Sequence, residues 1–194
     1  MTYWARKGRA EKDKGKAGRG FLPLGRIIVL AGPALVAAFV AALLVPWGLY
    51  LEISLYSNGS IVFSRRVSPG DQFTIQFIHS VMKTPVSEIF RIDGPENFDL
   101  VESIYYSFGA GLPSEELEGQ EIVLEDGHLR ITGFRRSFRR LLLAIGRVAR
   151  HHIVIGKESI PLASLAAPGT SIVIQVRRRS PVAVLLGLAG RAGP

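Results

Sequence analysis

Leu49–Val67 reads LYLEISLYSNGSIVFSRRV. Leu51, Ile53 and Leu55 alternate with Glu52, Ser54 and Tyr56, the two-residue period of a strand that buries one face and wets the other. Asn58-Gly59 then marks a tight hairpin turn, and Ser60–Val67 is the returning strand. The same pattern continues down the chain. SPGD at Ser68–Asp71 is a turn, and Gln72–His79 sets Phe73, Ile75 and Phe77 on one face. Further strand candidates are Val86–Ile92, Asp99–Ser107, Gln120–Leu124, His128–Phe134, Arg140–Gly146, His152–Gly156 and Ser171–Val176. Turn signals separate them at Asp93-Gly94-Pro95, Asp126-Gly127, Gly156-Lys157 and Pro168-Gly169. Short strands at this spacing predict a mainly β domain over residues 51–179, an antiparallel sandwich or a barrel. Phe134, Phe138, Leu141, Ile145 and Val148 also fit a helical stripe. Gly133 and Gly146 break that stripe at both ends and favour strand.

Upstream, the chain changes character. Ile27–Leu51 holds 25 residues without a charge, and about 20 apolar residues cross the hydrocarbon core of a bilayer. Pro33 is tolerated in a membrane helix, and Trp47 and Tyr50 stand where an interfacial aromatic belt would. Residues 1–26 carry eight Lys/Arg against two acids, six of the net +8 of the whole chain. A cation-rich flank predicts an N-terminus in the cytoplasm and a domain outside it. The stretch LLVPWGLYLEIS lacks a small-residue cleavage pattern. That favours an uncleaved signal anchor at 27–50 over a removed signal peptide. The expected organisation is a basic cytoplasmic tail (1–26), a single-pass anchor in the cytoplasmic membrane (27–50), an extracytoplasmic β domain (51–179) and an apolar tail (180–194), unstructured or lying against the membrane.

Composition removes several function classes. The absence of cysteine excludes a disulfide scaffold, a thiolate metal site and a cysteine nucleophile. A hydrophobic content of 47% excludes a disordered chain. The basic excess sits mostly in the N-terminal tail, so a pI of 10.2 does not argue for nucleic acid as a partner. Within the β domain the charge is divided. Residues 49–133 carry five cations and thirteen acids, and residues 134–194 carry eleven cations and one acid. The two halves are expected to neutralise each other strand against strand. Alternatively, Arg135, Arg136, Arg139 and Arg140 form a basic cluster for anionic headgroups or an acidic partner.

The richest stretch is FIHSVMKTPVSEIFRID, Phe77–Asp93. With Lys83-Thr84 as the centre of a two-residue turn, His79 faces Glu88 across a hairpin, about 5 Å apart at Cβ. Such a pair serves as a structural cross-strand contact, as half of a metal site completed by His151 or His152, or as an acid–base pair. Ser80 points to the opposite face from His79, which argues against a serine hydrolase. A second stretch, SFGAGLP at Ser107–Pro113, is a loop. Gly109 and Gly111 permit close backbone approach and Pro113 sets the exit, either as a plain corner or as a nest for an anion.

Several of these motifs come in a recognisable order: His79-Ser80-Val81, Thr84-Pro85-Val86, Glu88, Phe90, then SFGAGLP, then LLLAIGRVARHHIVIGKESIPL and SIVIQV. This order resembles the bacterial domain-of-unknown-function family 1850 over roughly residues 51–177. The resemblance implies no established activity. It implies association with TRAP-type transporters that use TAXI-type solute-binding proteins. The expected protein is therefore a non-enzymatic accessory or docking domain without a cofactor. It is not expected to be an enzyme, because no nucleophile, base and orienting group converge in the sequence; its expected partners are the membrane and, as the resemblance implies, a TRAP permease or solute-binding protein. The alternative is a small-ligand or metal-binding receptor domain centred on His79 and Glu88.

Overall fold

The computed structural model describes residues 24–106 and 119–189. The chain divides into two units, Met1–Val40 and Ala41–Pro194. Helix α1 spans Leu24–Leu44 with Pro33 inside it. Its end is dictated locally. Pro46 disfavours a helical conformation at the residue before it, and the Trp47 indole Nε1 donates to the Ala42 carbonyl at 3.1 Å, satisfying one of the free carbonyls of the last turn. Strand begins at Gly48, so Gly48–Tyr50, the last residues of the expected 27–50 anchor, belong to the sheet. No helix among the described residues is long and apolar enough to cross a membrane.

Beyond the helix the chain is built of strands: β1 (Gly48–Leu55), β2 (Ile61–Val67), β3 (Gln72–Ile78), β4 (Pro85–Gly94), β5 (Asn97–Tyr105), β6 (Glu121–Glu125), β7 (His128–Phe138), β8 (Arg140–Ala144), β9 (His152–Ile155), β10 (Glu158–Pro161) and β11 (Ser171–Arg179). Ten of the eleven coincide with the alternating stretches of the sequence. The eleventh, β10, reads ESIP and offers one apolar side chain and a proline, too little alternation to stand out. Every pairing among the described residues is antiparallel. One sheet has the order β2-β1-β11-β8 and the other β10-β9-β3-β4-β5-β7-β6, with no closure into a barrel.

The sheets pack face to face over one core. Leu51, Ile53, Val67, Ile172, Ile174 and Val176 come from the first sheet; Phe73, Ile75, Phe90, Ile92, Phe98 and Ile153 come from the second. Phe73, Phe90, Phe98 and Phe138 form a ring cluster with centroids 5.1–5.8 Å apart. Each fully buried side chain of this size contributes about 1.5–3 kcal/mol through its lost water contact.

Residues 134–148 hold no helix. Phe138 still pairs with Phe98 in the second sheet, and Arg140 already pairs with Gln175 in the first. The chain changes sheets at Arg139, which rephases the alternation and produces the helix-like spacing of Phe138, Leu141 and Ile145. Gly133, at φ +75°, sits against the Gly119 carbonyl, where a Cβ has no room. It lies next to the bulge between Leu100 and Glu102. Toward the C-terminus, Pro181–Ala189 of the expected apolar tail forms helix α2 and is not unstructured. Pro181 occupies its first position, and the Ser180 hydroxyl accepts from the Ala183 N–H at 3.2 Å.

Candidate functional site

The β3–β4 hairpin decides the fate of the His79–Glu88 pair. Two-residue turn geometry predicts partners summing to 167. The observed register pairs Gln72 with Arg91 and Ile78 with Pro85, a sum of 163. The cause is the loop. His79 N donates to the Thr84 carbonyl at 2.9 Å and Lys83 N to the His79 carbonyl at 2.9 Å, closing a four-residue loop with Lys83 at φ +57°. Tyr56–Gly59 closes in the same way, with Leu55 N on the Ser60 carbonyl, Gly59 N on the Leu55 carbonyl and Gly59 at φ +72°, so the Asn58-Gly59 turn is also longer than predicted. His79 therefore stands level with Thr84, and Glu88 opposes Ile75. The two share a face but lie four positions apart, about 13 Å along the strand. They form no pair.

Each has its own surroundings. The His79 Nδ1 accepts from the Met82 N–H at 3.2 Å, so the ring caps the loop. Ser80 and Val81 lie exposed at the tip, Val81 at 68%. Thr84 closes the loop, and Pro85 begins β4 beside the Tyr106 N–H, which its carbonyl accepts at 3.3 Å. Glu88 points to the core side, between Ile75 and the buried Ser103. Burial pushes its carboxyl above the ordinary range, and the positive charge of Arg136 pulls it partly back. Burial, and then the Glu88 charge, raise the Tyr105 phenol.

The remaining candidates do not converge. His151 packs against Phe77 with ring centroids 5.7 Å apart and accepts from the Gly146 N–H at 3.3 Å; burial lowers its pKa. His152 faces the opposite side, level with Gln76, with Nδ1 3.2 Å from Ser159 Oγ. No group of three potential metal ligands forms among the described residues. The basic cluster also separates. Arg136 lies over the Phe138 ring at 5.0 Å, Arg135 lies against Gly119, Arg139 occupies the corner between sheets, and Arg140 stands beside Gln175 in the other sheet. Gly109, Gly111 and Pro113 lie outside the described residues. The divided charge is met in part by pairs across the halves: Arg65–Glu158 at 2.8 Å, Arg177–Glu96 at 3.1 Å and Arg179–Glu52 at 2.7 Å.

The structure adds two features that the strand pattern did not single out. The first is the Glu52–Arg179 pair. Arg179 Nε and Nη2 donate to both oxygens of the buried Glu52 carboxylate at 2.7 and 2.8 Å. The pair lines a cavity of about 160 Å³ with Ala183, Val184 and Gly187 of α2. The second is an open groove of about 390 Å³ on the outer face of the larger sheet, between Gln76, Ser87, Tyr106, Arg150 and His152. It adjoins the base of the His79–Thr84 loop, because Ile78 N donates to the Ala149 carbonyl at 2.7 Å. Two of the four non-glycine residues with positive φ among the described residues, Lys83 and Arg150, stand at this end of the sheet. Neither feature has a sequence signature, since both depend on register across distant strands.

Residues 73–162 match the family model described as a domain of unknown function, DUF1850. The match bears out the resemblance carried by the HSVMKTP stretch, over a shorter span than the motifs suggested. It takes in the capped loop and the groove, and it leaves out β1, β2 and β11. No curated protein and no solved structure matches the chain.

Proposed function

We propose that this chain, with its DUF1850 segment, is a membrane-anchored accessory domain that docks on a component of a TAXI-type TRAP transporter through the end of the larger sheet bearing the His79–Thr84 loop. One observation carries the docking surface. The loop is closed by its ring-nitrogen cap and a left-handed lysine, and it holds Val81 68% exposed at its tip. A left-handed non-glycine residue costs about 1–2 kcal/mol, and strain of this kind gathers where a surface must keep one shape for a partner. The uncharged run Ile27–Leu51 behind eight cations supports the anchor and its orientation. A tether of this kind raises the local concentration of the domain at the membrane without contributing contacts. The transporter association rests on the family resemblance.

The test has two parts. A reporter active only outside the cytoplasm is expected to be active when fused after Val176 and silent when fused after Gly20; the reverse pattern overturns the orientation. Val81→Glu is expected to abolish co-purification of the TRAP permease or solute-binding protein from mild detergent while the melting temperature stays put. Co-purification unchanged in Val81→Glu removes the loop as the docking surface.

A further inference from the structure

We propose that the groove on the outer face of the larger sheet is a binding site for a small organic carboxylate, with Arg150 as its charged anchor. Its floor is a polar row that crosses three strands. His152 of β9, Gln76 of β3 and Ser87 of β4 stand level with one another in the ladder. On this outer face they replace the apolar residues that alternate with them towards the core. Ser87 is buried at 7% exposure although it lines the groove, so its hydroxyl lies at the bottom rather than on the rim. His152 is held through Nδ1 by the Ser159 hydroxyl at 3.2 Å, which leaves Nε2 clear of that bond. Tyr106 and Pro85 supply the wall, and Tyr106 is braced by the His128 ring at a centroid distance of 5.5 Å.

Charge selects the ligand class. No Asp or Glu lines the groove among the described residues. Arg65, Arg130, Arg177 and Arg179 pair with carboxylates, Arg66 lies over Trp47 and Arg136 over Phe138, and among the described residues Arg150 is the arginine that lines this groove. Arg150 has no carboxylate within 4 Å among the described residues and is held at φ +46° at the groove's end. An arginine is a poor residue for that backbone conformation, and a glycine or asparagine would hold the turn with less strain. Its side chain is what glycine could not provide. One guanidinium beside amide, hydroxyl and imidazole groups suits a planar carboxylate, which accepts the guanidinium fork through both oxygens. A phosphate dianion calls for a second Lys or Arg, and none lines the groove among the described residues. The volume lies within the range of small-molecule sites, about 300–1,000 Å³, and the Tyr106–Pro85 wall takes the apolar part of the acid.

The experiment uses the full chain in detergent, with benzoate as the probe and benzamide as its uncharged isostere. Benzoate is expected to shift the amide resonances of Gln76, Ser87 and His152 saturably below about ten millimolar, and benzamide is expected to leave them in place. Arg150→Gly is expected to weaken benzoate binding at least tenfold while the melting temperature holds or rises, because glycine relieves the left-handed strain; Arg150→Lys retains part of the affinity. Val81→Glu leaves benzoate binding intact, which separates this site from the docking surface. Equal binding of benzamide, or benzoate bound as tightly by Arg150→Gly as by the parent, overturns the proposal. So does failure of benzoate, acetate and succinate alike to saturate the groove. Binding of a peptide through its terminal carboxylate, with no free acid bound, overturns it in favour of a protein partner.

Discussion

Replacing Arg179 by Met tests how the smaller sheet is held beneath its C-terminal helix. Methionine keeps the length of the aliphatic stem, so the change removes mainly the charge and the two hydrogen bonds to Glu52, at 2.7 and 2.8 Å. Glu52 is 1% exposed and keeps its carboxylate in place with no partner. Breaking a buried pair in this way costs about 3–5 kcal/mol. Two features reduce that figure. The Arg179 side chain is 35% exposed, so solvent already screens one end of the pair. The cavity of about 160 Å³ beside it can admit water to the stranded carboxylate. The expected loss is therefore about 2–3 kcal/mol, a large part of the roughly 5–15 kcal/mol that holds an ordinary domain. Glu52→Gln alone leaves the arginine free to turn into solvent, and about 1 kcal/mol is expected. The double variant should recover most of the loss, because no charge is left buried. Equilibrium urea denaturation of the four proteins reads these differences directly. A loss below about 1 kcal/mol for Arg179→Met, or a double variant no better than that single one, refutes the account of Glu52 as a buried and compensated carboxylate.

Glu88→Gln should stabilise the protein at neutral pH. Its carboxyl pKa is raised above 4.5 in the folded chain, so the folded state holds the proton more tightly. Its ionisation then lowers stability as pH climbs from about 4.5 towards the raised value. Glutamine removes that slope, and a substitution that destabilises more at neutral than at acid pH contradicts the assignment. His79→Ala removes the acceptor for the Met82 N–H and should cost about 1 kcal/mol. Combined with Glu88→Gln in a denaturation cycle, it should show coupling below about 0.5 kcal/mol, and coupling above 1 kcal/mol would restore a direct pair.

Much of the strand content was legible because alternation is a local property. Phe73, Ile75 and Phe77 mark β3 without knowledge of any partner, and the candidate stretch Asp99–Ser107 likewise overlaps most of β5. The HSVMKTP stretch was equally visible, and the family match falls across it. The site geometry was not. A two-residue turn and a four-residue loop carry the same apolar pattern, yet they shift the meeting of His79 and Glu88 by about 13 Å. Lys83 at φ +57° chose the longer loop, and nothing in a lysine announces that choice. The four arginines near Arg135 likewise read as one cluster because they are near in sequence. The chain changes sheets at Arg139, and Arg136 and Arg140 part company there.

The sequence by itself determined the class of the fold, the boundaries of every described strand but β10 to within a few residues and the uncharged segment ahead of the domain. Each follows from the order of apolar and polar residues over a short window. Only the tertiary structure decided the order of strands in the two sheets, the bidentate closure of Glu52 by Arg179 across 127 positions of chain, and the groove in which His152, Gln76 and Ser87 stand in one row. Those features arise from register. Register is a difference of free energy between whole alignments of strands, set by loop geometry and by burial on both faces at once.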